Sequence, residues 1–207
     1  MSNPKLLSYK AAFIAESGFC EREFNQAEHA LTALGVDCRV ISAASDIIKG
    51  WREEKKPSQN KWGKQYAVHE TLKDCTPADY DILVLTGGKM NVNKLKLEAR
   101  LKPFISSFLT TNKPVIAYNQ SVDLLMFHKL IDGYSVAAKD QICDQLDSVG
   151  GRCAASEFVV SKNLITLSRY RDVEQQIQQA VIAILNNEPY VEQVGTQDSL
   201  PKSYNTA

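Results

Sequence analysis

The stretch KPVIAYNQS, residues 113–121, runs from an apolar strand pattern directly into the start of an apolar-periodic helix. A sharp strand-to-helix corner is where many α/β enzymes mount a nucleophile, because the side chain there is held clear of the sheet edge. Here the corner residue is Asn119, followed by Gln120. An amide nitrogen has no accessible anionic form and no nucleophilic lone pair, so Asn119 cannot attack, and Gln120 cannot act as a general base. Both side chains donate and accept hydrogen bonds, and asparagine is among the residues that tolerate positive φ. The corner reads in one of two ways: a strained turn filled by a tolerant residue, or a pair of amides presented to a small ligand.

Other groups suited to chemistry cluster nearer the N-terminus. Glu16, Glu21 and Glu23 fall in a loop and the first helical turn after it, near the expected mouth of a pocket. A carboxylate there gains about 0.3–1 kcal/mol from the helix dipole without any function. Glu23 is also the residue placed to act as an acid/base or to accept an amide N–H from Asn119. Cys20, in the same loop, is the alternative nucleophile if the helix start lowers its pKa; the competing reading is a small buried hydrophobe. Cys38, Cys75, Cys143 and Cys153 lie in strand or helix patterns and read as packing. The cysteines are odd in number, five, and scattered without CxxC or CxxH spacing, so neither a disulfide framework nor a zinc site is expected. His29, His69 and His128 have no Cys, Asp or Glu at metal-ligand spacing, and no metal or cofactor is expected.

The elements that must position these groups follow from periodicity. A short apolar run at 10–15 precedes the glutamate loop, and a helix pattern from Glu21 places Phe24, Ala27, Leu31 and Leu34 on one face, with Gly35 as a stop. Residues 36–42 alternate like a strand, and 43–79 read as irregular and polar apart from a short extended piece, YAVHETL. Tyr80 to Gly88, YDILVLTGG, is a continuous apolar run stopped by two glycines, as suits a parallel strand covered on both faces. One amphipathic helix ending in FISSFLTTNK leads to the 114–118 strand and the corner. A strand and helix within 134–151, a hairpin around Ser161-Lys162-Asn163 and a last helix lined by Val173, Ile177, Val181, Ile184 and Leu185 complete the pattern. Strand–helix alternation predicts a mostly parallel sheet with helices on both faces. Ligands then sit beyond the strand C-termini, at the loops 16–23, 86–91 and 119–121. Residues 1–187 read as one domain, and the polar stretch 188–207 as a flexible tail.

With 44% hydrophobic residues and equal totals of 24 basic and 24 acidic side chains, the composition is that of a soluble globular protein. Zero formal charge argues against a nucleic-acid footprint, and no apolar run is long enough to span a bilayer. The N-terminus reads as a lead-in to a strand and not as a signal peptide. The cytoplasm is the expected compartment. Trp51 and Trp62 bracket the charged segment and read as a pocket cap or part of a dimer contact.

The segments AAFIAESGFCEREF, ADYDILVLTGG, NKPVIAYNQSVDLL and FVVSKNLITLSR occur in the order and spacing of the ThiJ/PfpI family, within the class I glutamine amidotransferase-like superfamily. The chain resembles that family over roughly Lys10 to Leu185. The resemblance implies a flavodoxin-like three-layer α/β/α sandwich, a homodimer, and activities drawn from peptidase, amidase, glyoxalase-type, deglycase and chaperone functions. It places the family's polarising glutamate on Glu23, its oxyanion glycines on Gly87 and Gly88, and its elbow cysteine on Asn119. The following histidine falls on Gln120 and the elbow glycine on Ser121. An arginine after the last strand matches Arg169, or Arg171 one step along. Glu23, Gly87, Gly88, Tyr118, Asn119 and Gln120 are thus the expected ligand-binding set. The function implied is a relative without the nucleophile, acting through a small-molecule ligand or a partner. The competing function is a protease/amidase-like or lyase/hydratase-type enzyme that uses Glu23 with Asn119 and Gln120 and forms no covalent intermediate.

Overall fold

The computed structural model describes residues 5–44, 46–53, 56–59, 61–168 and 173–190. Arg169, Arg171 and all but the first three residues of the expected tail lie outside them. The chain runs through β1 (Lys10–Ile14), β2 (Phe19–Cys20), α1 (Glu21–Ala33), β3 (Asp37–Ser42), β4 (Ile47–Arg52), β5 (Lys61–Ala67), β6 (Glu70–Thr71) and β7 (Ile82–Leu85). It continues through α2 (Lys89–Leu95), α3 (Leu101–Thr110), β8 (Val115–Tyr118), α4 (Ser121–Phe127), β9 (Ser135–Val136) and α5 (Asp140–Leu146). The last elements are β10 (Arg152–Cys153), β11 (Phe158–Ser161), β12 (Leu164–Leu167) and α6 (Glu174–Leu185).

A seven-stranded sheet of order β11-β12-β8-β7-β1-β3-β6 forms the middle layer, parallel except for the β11–β12 hairpin. Strand alternation divides its side chains between two cores. Phe13, Val84, Ile116 and Tyr118 face α1 and α6, meeting Phe24, Leu31, Ile177 and Val181. Ile14, Leu85, Val115 and Ala117 join Val92, Leu95, Phe104, Phe108 and Leu125 of α2, α3 and α4 in the other. This is the flavodoxin-like α/β sandwich expected. From β1 the chain passes to β3 on one side and later to β7 on the other, so the loops after β1 and β7 diverge at a topological switch point.

Two elements differ from the sequence reading. The helix before the 114–118 strand is two helices, because Pro103 falls in the first turn of α3, where a missing N–H costs nothing, and its ring cannot continue a helix from α2. Residues 43–79 hold more order than expected. β4 and β5 pair antiparallel with a bulge at Lys49–Trp51, and β4 also pairs with β2. Trp51 and Trp62 meet edge-to-face across this hairpin, 5.4 Å between ring centroids, which supplies the packing that its lysines and glycines conceal.

The cysteines also differ. Cys143 of α5 and Cys153 of β10 form a disulfide, with Cα atoms 5.2 Å apart. The spacing of ten residues hides this, because the chain folds back at Gly150-Gly151 to lay β10 beside α5. Among the described residues no helix is long and apolar enough to cross a membrane.

Candidate functional site

The corner is built from both of its flanks. Asn119 donates its backbone N–H to Leu167 O (2.8 Å) on β12, and its carbonyl accepts from Val122 N (3.1 Å) to open α4. That combination bends the chain through φ 38° at Asn119, a left-handed conformation that asparagine accepts more readily than most residues. The side chain is 3% exposed, and its Nδ2 donates to Glu23 Oε1 at 3.0 Å. Glu23, itself 1% exposed on the first turn of α1, accepts Gly87 N–H on its other oxygen at 2.5 Å. Gln120 turns back over the corner, and its Oε1 accepts Gly88 N–H at 2.9 Å. The fully buried Ser121 hydroxyl lies 2.9 Å from the carbonyls of both Leu85 and Tyr118 and pins the corner to β7.

Glu23, Asn119 and Gln120 therefore meet, as the sequence predicts, around the two glycines. Those glycines do not present an open anion site, however: Gly87 N–H is held by Glu23 and Gly88 N–H by Gln120. Gly88 has φ 96° and lies against the Gly18 and Phe19 backbone, so only glycine fits there. The cavity at the corner is about 40 Å³, walled by Glu23, Gly88, Asn119 and Gln120 with Glu53, Lys139 and Ile142. Typical small-molecule sites hold roughly 300–1,000 Å³.

The remaining expectations divide. Tyr118 does not line the cavity: strand alternation turns it into the α1–α6 core, where it is fully buried and its hydroxyl has no hydrogen-bond partner among the described residues. Burial, with Glu23 next, holds that phenol well above its ordinary pKa. Glu16 and Glu21 leave the corner altogether. Glu16 accepts from Ser42 Oγ and Ala43 N, both at 2.7 Å, tying the loop to β3. Glu21 takes Arg52 in a two-nitrogen contact at 2.8–2.9 Å and accepts Lys64 N–H at 2.6 Å, locking the hairpin onto α1. Cys20 lines the cavity, but burial first and Glu23 second push its thiol pKa far up, the opposite of activation. His29 pairs with Glu174 Oε2 (2.8 Å), and His69 Nδ1 accepts Val40 N–H (3.0 Å). His128 is buried, with its pKa lowered by burial and then by Lys102 and Lys96. Neither tryptophan caps the cavity. Sequence reasoning missed Lys139 and Ile142, which arrive from α5, and Asn91, which is fully buried. Asn91 accepts Glu16 N–H (2.7 Å) and donates to Thr86 O (2.7 Å) and Gly87 O (3.1 Å), holding the glycine loop.

At the switch point of this sheet stand a carboxylate, a corner amide and a glycine loop. Residues 9–183 match the sequence profile of the DJ-1/PfpI family. The chain belongs to the DJ-1/PfpI family. Protein/nucleic acid deglycase 2 of Escherichia coli is 26% identical to it over 167 residues, covering 80% of this chain and 91% of that protein. An uncharacterised protein of Staphylococcus saprophyticus is 24% identical over 185 residues, covering 87% of this chain and all of that one. Among solved structures, the ThiJ/PfpI domain protein of Brachyspira murdochii superposes with a TM-score of 0.70 at 18% identity, covering 87% of this chain and 98% of that one. A two-domain protein of Anabaena variabilis, with DJ-1/ThiJ/PfpI-like and ferritin-like domains, gives a TM-score of 0.72 at 19% identity. That match covers 90% of this DJ-1/PfpI chain, which spans about half, 52%, of the two-domain protein.

Proposed function

We propose that this DJ-1/PfpI chain has lost the family's covalent chemistry and acts by binding, as a cytoplasmic homodimer that presents a surface to a small polar ligand or a partner protein. On this reading Asn119 stands at the nucleophile's perch. One observation carries it: the polar groups a substrate carbonyl would need are already bonded to one another. Asn119 and Gly87 N–H occupy both oxygens of Glu23, and Gln120 covers Gly88 N–H. A general base must reach the proton it takes, and an oxyanion site must offer its donors at the developing charge; here both are occupied internally. The cavity of about 40 Å³ supports the same reading, since it is far smaller than the roughly 300–1,000 Å³ of typical small-molecule sites. A cleft of about 690 Å³ lies beside it over α1, with Arg22, Asn25, His29, Arg52 and Glu174 on its walls, and is the place for a polar ligand or partner.

The test is turnover. The protein is incubated with methylglyoxal, with glycated protein and glycated nucleic acid (deglycase being the activity named for the Escherichia coli relative) and with peptidyl-coumarins. The Glu23→Gln variant is run beside it as the background. Rates equal to that background are expected; robust turnover that disappears in Glu23→Gln overturns the proposal in favour of non-covalent catalysis by Glu23. Light scattering at micromolar concentration reads the homodimer.

A further inference from the structure

The disulfide lies where its state bears on the corner. Lys139 and Ile142, in the first turn of α5 and just before it, close one side of the corner cavity. Lys139 also walls a separate open cleft of about 690 Å³, lined by the bonded Cys143 and Cys153 together with Ser156 and Ser168. The start of α5 is thus a partition with the corner on one side and the Cys143–Cys153 bond on the other. α5 has seven residues, and its tie to β10 closes a loop of only ten. The two sulfurs differ in access: Cys153 is exposed on β10, whereas Cys143 is half-buried. The free cysteines are unlike this pair. Cys20 and Cys75 are buried, and burial pushes the thiols of Cys38 and Cys75 up to about 11, away from the thiolate that exchange requires.

We propose that Cys143 and Cys153 form a reversible dithiol–disulfide site, reached by low-molecular-weight thiols and disulfides through the cleft, that latches the start of α5 over the corner cavity. In the reducing direction a thiolate attacks the exposed Cys153 Sγ. The Cys143–Cys153 bond breaks, Cys143 leaves as a thiolate and takes a proton, and a mixed disulfide remains on Cys153. A second thiol attacks that mixed disulfide, releasing the Cys153 thiol and the low-molecular-weight disulfide. Two electrons pass from two thiols to the protein bond, and the oxidising direction reverses each step. Once reduced, α5 keeps its packing through Leu146 but loses its tie to β10, and the partition moves. This site operates whether or not the corner does chemistry.

The test equilibrates the full chain in glutathione buffers of graded thiol-to-disulfide ratio, then quenches with acid, alkylates and maps the cysteines by mass spectrometry. A single reversible two-electron transition confined to Cys143 and Cys153 is expected. Amide exchange at residues 139–146 should accelerate by about tenfold or more on reduction. Cys143→Ser should capture glutathione at Cys153, while Cys153→Ser should leave Cys143 largely unmodified. A pair that stays oxidised in excess glutathione, or stays reduced in excess glutathione disulfide, overturns the proposal. So does a transition that leaves exchange at 139–146 unchanged, because the bond then latches nothing.

Discussion

Glu23→Gln is the substitution that separates a structural carboxylate from a reactive one. Each Glu23 oxygen accepts one buried N–H donor, from Gly87 and from Asn119. Glutamine keeps the volume and one acceptor, but its amide nitrogen then confronts a second donor. One hydrogen bond to a charged acceptor is lost, worth about 1.5–3 kcal/mol. For a chain of this length, unfolding entropies of about 2.1 cal/mol/K per residue convert that loss into a melting-point drop of roughly 3–7 °C. Calorimetry of wild type and variant at one pH and one protein concentration reads the difference directly. A catalytic carboxylate behaves otherwise: groups held for reactivity commonly reduce stability, and neutralising them raises it. A Glu23→Gln protein that melts at or above the wild-type temperature would refute the view that Glu23 is a satisfied structural acceptor.

Three further outcomes follow from the geometry. Asn119→Gly should lose about 1.5–3 kcal/mol through the missing bond to the Glu23 carboxylate, and Asn119→Ala about 1 kcal/mol more, because alanine resists the φ of 38° that glycine accepts; equal urea midpoints for the two would show that the corner is unstrained. Gly63→Ala places a methyl against the carboxylate of Glu21, which Arg52 and Lys64 hold in place. The hairpin should lift from α1 at a cost of about 2–3 kcal/mol, seen as faster amide exchange across β4 and β5. His128 gives a pH dependence: burial and the nearby lysines lower its folded pKa, so the unfolded chain takes up the proton first. Its contribution is intact above the unfolded value of about 6.5 and declines as pH falls below it; melting curves of His128→Leu against pH should lack that component.

Much of the scaffold is legible in the chain, and the reasons are local. The run Ile82 to Leu85 and the run Val115 to Tyr118 are apolar on both faces, which in an α/β chain leaves only a covered parallel strand. Asn119, Gln120, Glu23 and the glycines are legible through their order in the family pattern, and Asn119 at φ 38° is the expected tolerant residue. What Gln120 does is not legible, because capping Gly88 N–H depends on a rotamer and not on spacing. Tyr118 adjoins the corner in sequence and so reads as part of the pocket, yet strand alternation turns it to the opposite core. The three glutamates look equivalent in sequence, and only their partners (Ser42, Arg52 and Asn119) distinguish them. The β4–β5 hairpin is hidden because its lysines and glycines break the alternation that marks a strand, and because its neighbour β2 is two residues long. The Cys143–Cys153 pairing depends on a chain reversal that no periodicity announces.

β5 ends the small sheet, with β4 on one side and, among the described residues, no strand on the other. The seven-residue strand is largely exposed, and apart from the Lys64 N–H that Glu21 takes, its outer edge could template a strand from another molecule. Lys61 and Lys64 sit along that margin. Like charges brought together at strand spacing would repel, so the margin discourages stacking between copies at ordinary salt and should do so less as ionic strength rises. Two side chains remote from the corner thus guard this edge, and neutralising them should raise its tendency to pair with another strand while leaving the corner's own contacts in place.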